Sequence, residues 1–361
     1  MTDHQPPLYP QHLALGAKMA PFSGWLMPLE YTGVLNEHAC VRQGVGVFDV
    51  SHLGKLRVSG PGAADYLNTR LANDLTRIGP GQAQYTLMCN PSGGVIDDLI
   101  AYLFAPDDVL LIPNAANTAA VAEALADALP AGIAITNNHK DYVVLAIQGP
   151  QSPGVVAALG LPTDMGYMAF AEASLAGTAI TVCRTGYTGE MGYELVAANT
   201  VAAELWAAIL VAGEPFGIAP CGLGARDTLR TEMGYPLHGH DISPTINPVE
   251  ARLNWAIGWK KPAFDGASAI RAAKADGTAR ILRGLKASAR GIPRAGMSVF
   301  IDDAPAGVVT SGTFSPTLRL GIALALVDAK LEVGQTVNVE IRGRQEQFEV
   351  MNPPFVVSGV K

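Results

Sequence analysis

Gly321-Ile322-Ala323-Leu324-Ala325-Leu326-Val327 is the most apolar run of the chain. A membrane-spanning helix needs roughly 20 apolar residues, so this short run reads instead as a buried strand. Around it, from Arg280 to Lys361, short strand-like segments are separated by Gly, Pro and Asp. Ala295-Gly296, Asp302-Asp303 and Gly334-Gln335 mark turns between them, because these residues relieve or pre-set turn geometry. The tail therefore reads as an all-β domain.

The rest of the chain mixes element types. Strands are expected at residues 55–59, 99–104, 109–112 and 142–147, where β-branched and other apolar residues cluster. Asp107-Asp108 lies between the second and third and points to an antiparallel hairpin. Helices are expected at residues 62–71, 118–129, 201–212 and 266–275, where Ala-containing segments repeat apolar residues at three- and four-residue spacing. No fixed-period repeat is visible.

At 361 residues the chain is long enough for two or three domains with a well-buried interior. Net charge is −7 and the pI about 5.5, a poor electrostatic footprint for a nucleic-acid binder. The apolar content of 49% comes without any membrane-length run. Met1-Thr2-Asp3-His4-Gln5-Pro6-Pro7 has neither the basic nor the apolar region of a secretory signal, which points to the cytoplasm. Cys40, Cys89, Cys183 and Cys221 are widely scattered; the spacing argues against a disulfide framework, zinc ribbon or redox motif and for isolated core thiols.

Glycine-rich stretches invite nucleotide readings, but no phosphate-binding loop pattern is present. Gly222-Leu223-Gly224-Ala225-Arg226-Asp227 lacks the third glycine and suggests anion recognition at a helix start. His238-Gly239-His240-Asp241 is a fragment of a metal site, with loop packing the default reading. His52 could be oriented by Asp49 and Ser51, although no nucleophile elbow supports a hydrolase triad. In Gly93-Gly94-Val95-Ile96-Asp97-Asp98 the two acids should face opposite ways, because strand side chains alternate. Only one can serve a given pocket; bare, such a pair is more often a solvated turn than a site. Arg184-Thr185-Gly186-Tyr187-Thr188-Gly189-Glu190-Met191-Gly192-Tyr193-Glu194 combines flexible backbone, aromatic faces and a carboxylate that would suit a flat heterocycle. It also reads as a glycine-rich hairpin.

Taken together and in order, these segments resemble the aminomethyltransferase family of the glycine cleavage system, the T-proteins. Further matches are Gly24-Trp25-Leu26-Met27-Pro28, Val45-Gly46-Val47-Phe48-Asp49-Val50-Ser51-His52, Asn114-Ala115-Ala116-Asn117, Gln148-Gly149-Pro150, Asn247-Pro248 and Thr310-Ser311-Gly312-Thr313-Phe314-Ser315-Pro316. The resemblance implies an α+β fold: two mixed α/β, ferredoxin-like subdomains and a C-terminal β-barrel around a central folate channel. The corresponding boundaries are 1–275 for the folate-binding region, with its two interleaved subdomains, and 280–361 for the barrel. It implies transfer of a one-carbon unit from the aminomethylated lipoyl arm of H-protein to tetrahydrofolate, with functional links to P-protein and L-protein. No metal, membrane or nucleic acid is expected.

By the same resemblance Asp98 is the essential acid, with Tyr85 beside it, and Asn114, Tyr187, Glu194 and Arg226 belong to the folate pocket. Glu194 matches the acid that grips the pterin's amino-pyrimidine edge. Leu53 stands where the family usually has methionine, and Phe355-Val356-Val357-Ser358-Gly359-Val360-Lys361 lacks the arginine or tyrosine of some members; no ligand contact is assigned to that tail. Other folate users share the fold. The binding branch with a Lys-Gly-Cys-Tyr-type signature is disfavoured because that signature is absent. An oxidase fusion is disfavoured because no dinucleotide-binding domain precedes the folate region. A folate-dependent demethylase remains the rival enzyme.

Overall fold

The structure is a computed structural model that describes residues 3–360. Met1 and Thr2 of the N-terminal reading, and Lys361 of the tail, lie outside the described residues. Two compact units are present: one runs to Thr86, continues over Asp98–Asp227 and resumes at Gly359; the other comprises Leu87–Asp97 and Thr228–Ser358.

The first unit is built on the strand Tyr142–Gln148, in which every residue but Tyr142 is buried. Such an unbroken apolar run suits a strand covered on both faces. It lies between Gly192–Ala198 and Gly46–Asp49 in a six-stranded sheet that continues to Thr178–Cys183 and Phe170–Leu175 on one side. On the other side the sheet ends in Ala219–Pro220, which pairs parallel to Gly46–Asp49. Val47, Leu145, Ile147 and Leu195 pack with Val155 from the helix Ser152–Ala158 and with Leu205, Trp206 and Ile209 from Ala202–Gly213. Each such side chain contributes roughly 1.5–3 kcal/mol on burial.

A second, five-stranded sheet has the order Gln82–Cys89, Val95–Ala105, Asp108–Ile112, Leu56–Ser59, Ala134–Asn137. The hairpin expected at Asp107-Asp108 is there, with Val95–Ala105 and Asp108–Ile112 antiparallel. The strand carrying the acid pair starts at Val95, four residues before the expected start. The extension has a tertiary cause: the Val95 N–H donates to Ser243 O at 2.8 Å, and a Cβ on Gly94 would lie 1.9 Å from Pro244 O. The glycines preceding the acids thus admit a close backbone approach. The expected helices occur as Ala63–Arg70, Thr118–Ala126, Ala202–Gly213 and Ala267–Asp276.

The tail forms a closed barrel of six strands, in the order Arg280–Ala287, Leu320–Asp328, Ala304–Ser315, Ser298–Ile301, Thr336–Ile341, Arg344–Met351. The apolar run is unbroken because both its faces are covered. Ala323, Ala325 and Val327 join Leu285, Val299, Val339 and Phe348 in one core cluster. Ile322 and Leu324 pack with Leu282 and Phe355 in another. Among the described residues no helix is long and apolar enough to cross a membrane.

Candidate functional site

Strand alternation separates the acid pair as the sequence demands: Asp97 is fully buried and Asp98 half-buried. Tyr85, on the strand Gln82–Cys89, donates its hydroxyl to Asp98 Oδ2 at 3.0 Å. Asn114 Nδ2 donates to Asp98 Oδ1 at 2.8 Å and to the Asp98 carbonyl at 3.0 Å. One donor on each oxygen fixes the plane of the carboxylate, which a single hydrogen bond would leave free to rotate. Asn114 is itself held, since Thr118 Oγ1 donates to its carbonyl at 3.0 Å.

The glycine-rich segment joins the antiparallel strands Thr178–Cys183 and Gly192–Ala198, so the hairpin reading holds. Its loop closes around the buried Gln148 side chain. Thr188 Oγ1 donates to Gln148 Oε1 at 2.8 Å, and Gln148 Nε2 donates to Thr185 O at 3.2 Å. A Cβ on Gly186 or Gly192 would fall 2.1 Å or 2.3 Å from this amide, so the glycines make room for it. Arg42 Nη1 ties the outer part of the loop to Thr188 O at 2.7 Å and to Glu190 Oε1 at 2.8 Å.

That anchoring sets the second cluster. Glu194 Oε2 accepts from Thr185 Oγ1, and Thr185 Oγ1 lies 3.3 Å from the hydroxyl of Tyr102. Tyr102 is four residues beyond Asp98 on one strand and therefore on the same face. Arg226, from the first turn of the helix Leu223–Met233, places its guanidinium 4.8 Å from the centre of the Tyr187 ring. Its Nη1 is buried with no hydrogen-bond partner among the described residues. Burial pushes the Arg226 pKa down, opposed by Glu194 and Tyr187. Asp98, Tyr85, Asn114, Tyr187, Glu194 and Arg226 all belong to the first unit.

Other sequence expectations resolve differently. The helix start at Gly222 already has its anion: Glu37 Oε2 accepts the Gly222 N–H at 2.7 Å, while Oε1 accepts from Tyr31, Thr32 and Gly33. Nor do Asp49 and Ser51 orient His52. Asp49 Oδ2 pairs with His12 Nε2 at 2.9 Å, Asp49 Oδ1 accepts the Ser51 N–H, and Ser51 Oγ accepts the Val144 N–H. Burial pushes Asp49 up, but the bonds from His12 and Ser51 outweigh it and hold the acid below its ordinary value.

The cysteines are all free, yet Cys40 and Cys221 are not isolated from each other. The neighbouring Cys221 thiol draws Cys40 down to about 7 against burial, and Cys221 itself is pushed up. Their contact spans 181 positions of sequence, which spacing alone cannot reveal.

The His238–Asp241 loop is structural. Asp241 Oδ2 accepts from Arg230 Nη1 at 2.8 Å, Ser311 Oγ at 2.8 Å and the Leu237 N–H at 2.9 Å, and Oδ1 from Thr310 Oγ1 at 2.6 Å. His238 Nε2 is 3.0 Å from Val95 O. Glu232 likewise holds Ser315 and Thr317. No group of three or more His, Cys, Asp or Glu side chains poised for a metal occurs among the described residues.

A carboxylate oriented by a tyrosine and an asparagine, in one unit with a tyrosine–arginine stack and a second acid, can stabilise positive charge that develops on a bound flat ligand. Comparison with known proteins gives the family. Residues 8–261 match the GCVT N-terminal domain, and residues 280–356 the glycine cleavage T-protein C-terminal barrel domain. The chain is 59% identical to an aminomethyltransferase of Frankia alni, over 98% of its own length and 97% of that protein. To one of Mycobacterium tuberculosis it is 57% identical over 97% and 96%. The crystal structure of the glycine cleavage system aminomethyltransferase T from Bartonella henselae superposes with a TM-score of 0.92 at 36% identity, covering 98% of each chain. The chain belongs to the glycine cleavage T-protein family, and its activity is that of a tetrahydrofolate-dependent aminomethyltransferase.

Proposed function

We propose that Asp98 is the acid around which this transferase works, and that tetrahydrofolate is bound by Asn114, Tyr187, Glu194 and Arg226. The reading assigns H-protein as donor: the methylene carbon leaves the lipoyl sulfur and the amino nitrogen and becomes bonded to N5 and N10 of tetrahydrofolate. The two folate N–H protons end on the thiol and on ammonia, giving 5,10-methylenetetrahydrofolate and dihydrolipoyl H-protein.

Positive charge develops on the carbon as it leaves its donor and on each folate nitrogen as it attacks. A fixed carboxylate stabilises both and can take up the proton. Tyr85 and Asn114 hold Asp98 in one orientation, so no reorganisation is needed as the charge appears. The observation that carries this reading is that grip on both oxygens of Asp98.

The residues present suit the co-substrate. Tyr187 offers an aromatic face backed by Arg226. Glu194 can accept the paired N–H groups of an amino-pyrimidine edge. The orphaned Arg226 Nη1 needs an acceptor. The division into a folate-binding region at 1–275 and a barrel at 280–361 is supported by the two matched domains. Free thiols fit a reducing cytoplasm, where the enzyme would act with P-protein and L-protein.

The test is an assay of the purified chain with tetrahydrofolate and lipoylated, aminomethylated H-protein, run beside methylated amine and ether donors. Ammonia and methylenetetrahydrofolate should form with H-protein alone. Turnover confined to a methylated donor would replace this reading with the demethylase.

A further inference from the structure

His52 lies in the loop after the strand Gly46–Asp49 and has none of the partners its sequence neighbours suggested. Its side chain packs edge-on against Phe22, with ring centres 5.3 Å apart, and the residue is 4% exposed. Its backbone carbonyl is held 2.8 Å from His139 Nε2. Its Nδ1 is buried and has no hydrogen-bond partner among the described residues. Leaving such an atom unsatisfied is destabilising, so its retention calls for an explanation.

Two observations tie this histidine to the ligand site. Two residues on, the Gly54 N–H donates to Pro113 O at 2.8 Å. The next residue is Asn114, which holds Asp98. Arg226 is also the strongest charge acting on His52, and it too carries a buried nitrogen without a partner. Burial first, and then Arg226, push the His52 pKa down to about 3. The imidazole is therefore neutral at working pH, with one N–H and one lone pair. Arginine can only donate. A ligand atom that satisfies Arg226 is an acceptor, such as a carbonyl or carboxylate oxygen, and His52 can share it through its unpartnered Nδ1 only with that nitrogen as the N–H.

We propose that His52 is a ligand-binding residue whose Nδ1–H, together with Arg226, takes a carbonyl or carboxylate oxygen of the folate co-substrate. The proposal rests on the folate reading above and extends it to a residue whose neighbours alone would make it a packing side chain.

The test uses three variants of the full chain and measures tetrahydrofolate affinity by calorimetry, with thermal unfolding as a check on folding. His52→Phe keeps the ring packing against Phe22 and removes both nitrogens. His52→Asn restores an amide N–H near the position of Nδ1, whereas His52→Gln places its amide near that of Nε2. Loss of one neutral hydrogen bond should weaken binding by about tenfold in His52→Phe. His52→Asn should recover most of that loss, and His52→Gln should not.

Repeating the series with tetrahydropteroate, which lacks the glutamate, separates the two oxygen sources. A loss that persists supports a contact with the pterin or benzoyl oxygen, and a loss seen only with tetrahydrofolate supports a contact with a glutamate carboxylate. Wild-type affinity in His52→Phe, or equal affinity in His52→Asn and His52→Gln, would overturn the proposal. If His52→Phe fails to fold, the contrast between Asn and Gln decides alone. Absence of tetrahydrofolate binding by the wild-type chain would instead overturn the folate reading beneath it.

Discussion

Asp98 and Asp241 are both held by several hydrogen bonds, in different units of the chain. Asp241 is fully buried and ion-paired with Arg230, and two hydroxyls and a backbone N–H add to the pairing. Asp98 is half-buried and gripped by a phenol and an amide. A carboxylate neutralised by a guanidinium in the interior is committed to structure, since breaking the pair strands a charge. One oriented by a phenol and an amide is held in position for a cation that forms during reaction. The chemistry of an acid is decided by who holds it, and a family motif around it does not by itself say which case applies.

Acid should act first on the site-bearing unit. The buried His52 is neutral when folded, with a pKa of about 3 set by burial, Arg226, Lys55 and His139, and opposed by Asp49. The unfolded chain binds that proton from about pH 6.5 downward. His52 therefore allows full stability above pH 6.5 and withdraws it as pH falls toward 3, on the order of 5 kcal/mol in all. Asp49, depressed in the folded state, adds a loss of the same sign as pH falls through its folded pKa. Exchange protection of the strand Tyr142–Gln148, followed from pH 7 to pH 4, should fall before that of Leu320–Asp328. Simultaneous loss would contradict this.

Next in size, Asp241→Ala should destabilise the chain by about 3–5 kcal/mol, because it leaves Arg230 buried without its carboxylate. Urea unfolding measures it. A normal midpoint would show that the cluster is not structural. Glu194→Ala should weaken tetrahydrofolate binding by roughly ten- to a hundredfold, the cost of a charge-assisted contact of about 1.5–3 kcal/mol. Unchanged affinity by calorimetry would mean that the pterin sits elsewhere. Tyr85→Phe removes a donor on Asp98, and a fall in kcat of about tenfold with little change in binding is expected.

Local pattern made much of this legible. Alternation separated Asp97 from Asp98, and the apolar run 321–327 with its flanking turn residues marked the all-β tail. Residues distant in sequence decided the rest. Glu37 fills the helix start at Gly222, 185 positions away, so a motif that reads as an anion site is already satisfied from within. His12 takes Asp49 from His52 in the same way, and the Cys40–Cys221 contact depends on strand pairing that no spacing rule encodes. The start of the acid-bearing strand was misplaced because its first residues gain their partner from Ser243. Alternation cannot tell which acid of the pair would face a ligand, and that assignment to Asp98 rests on the family resemblance.

The account turns on Asp98 acting in turnover without being the main source of affinity. Asp98→Asn keeps the shape of the side chain and removes its charge. With lipoylated H-protein as donor, ammonia release should fall by about 10²–10⁴-fold, while tetrahydrofolate binding measured on the same preparation stays within about threefold of the wild type, under one hydrogen bond's worth. Wild-type turnover in this variant would contradict the account.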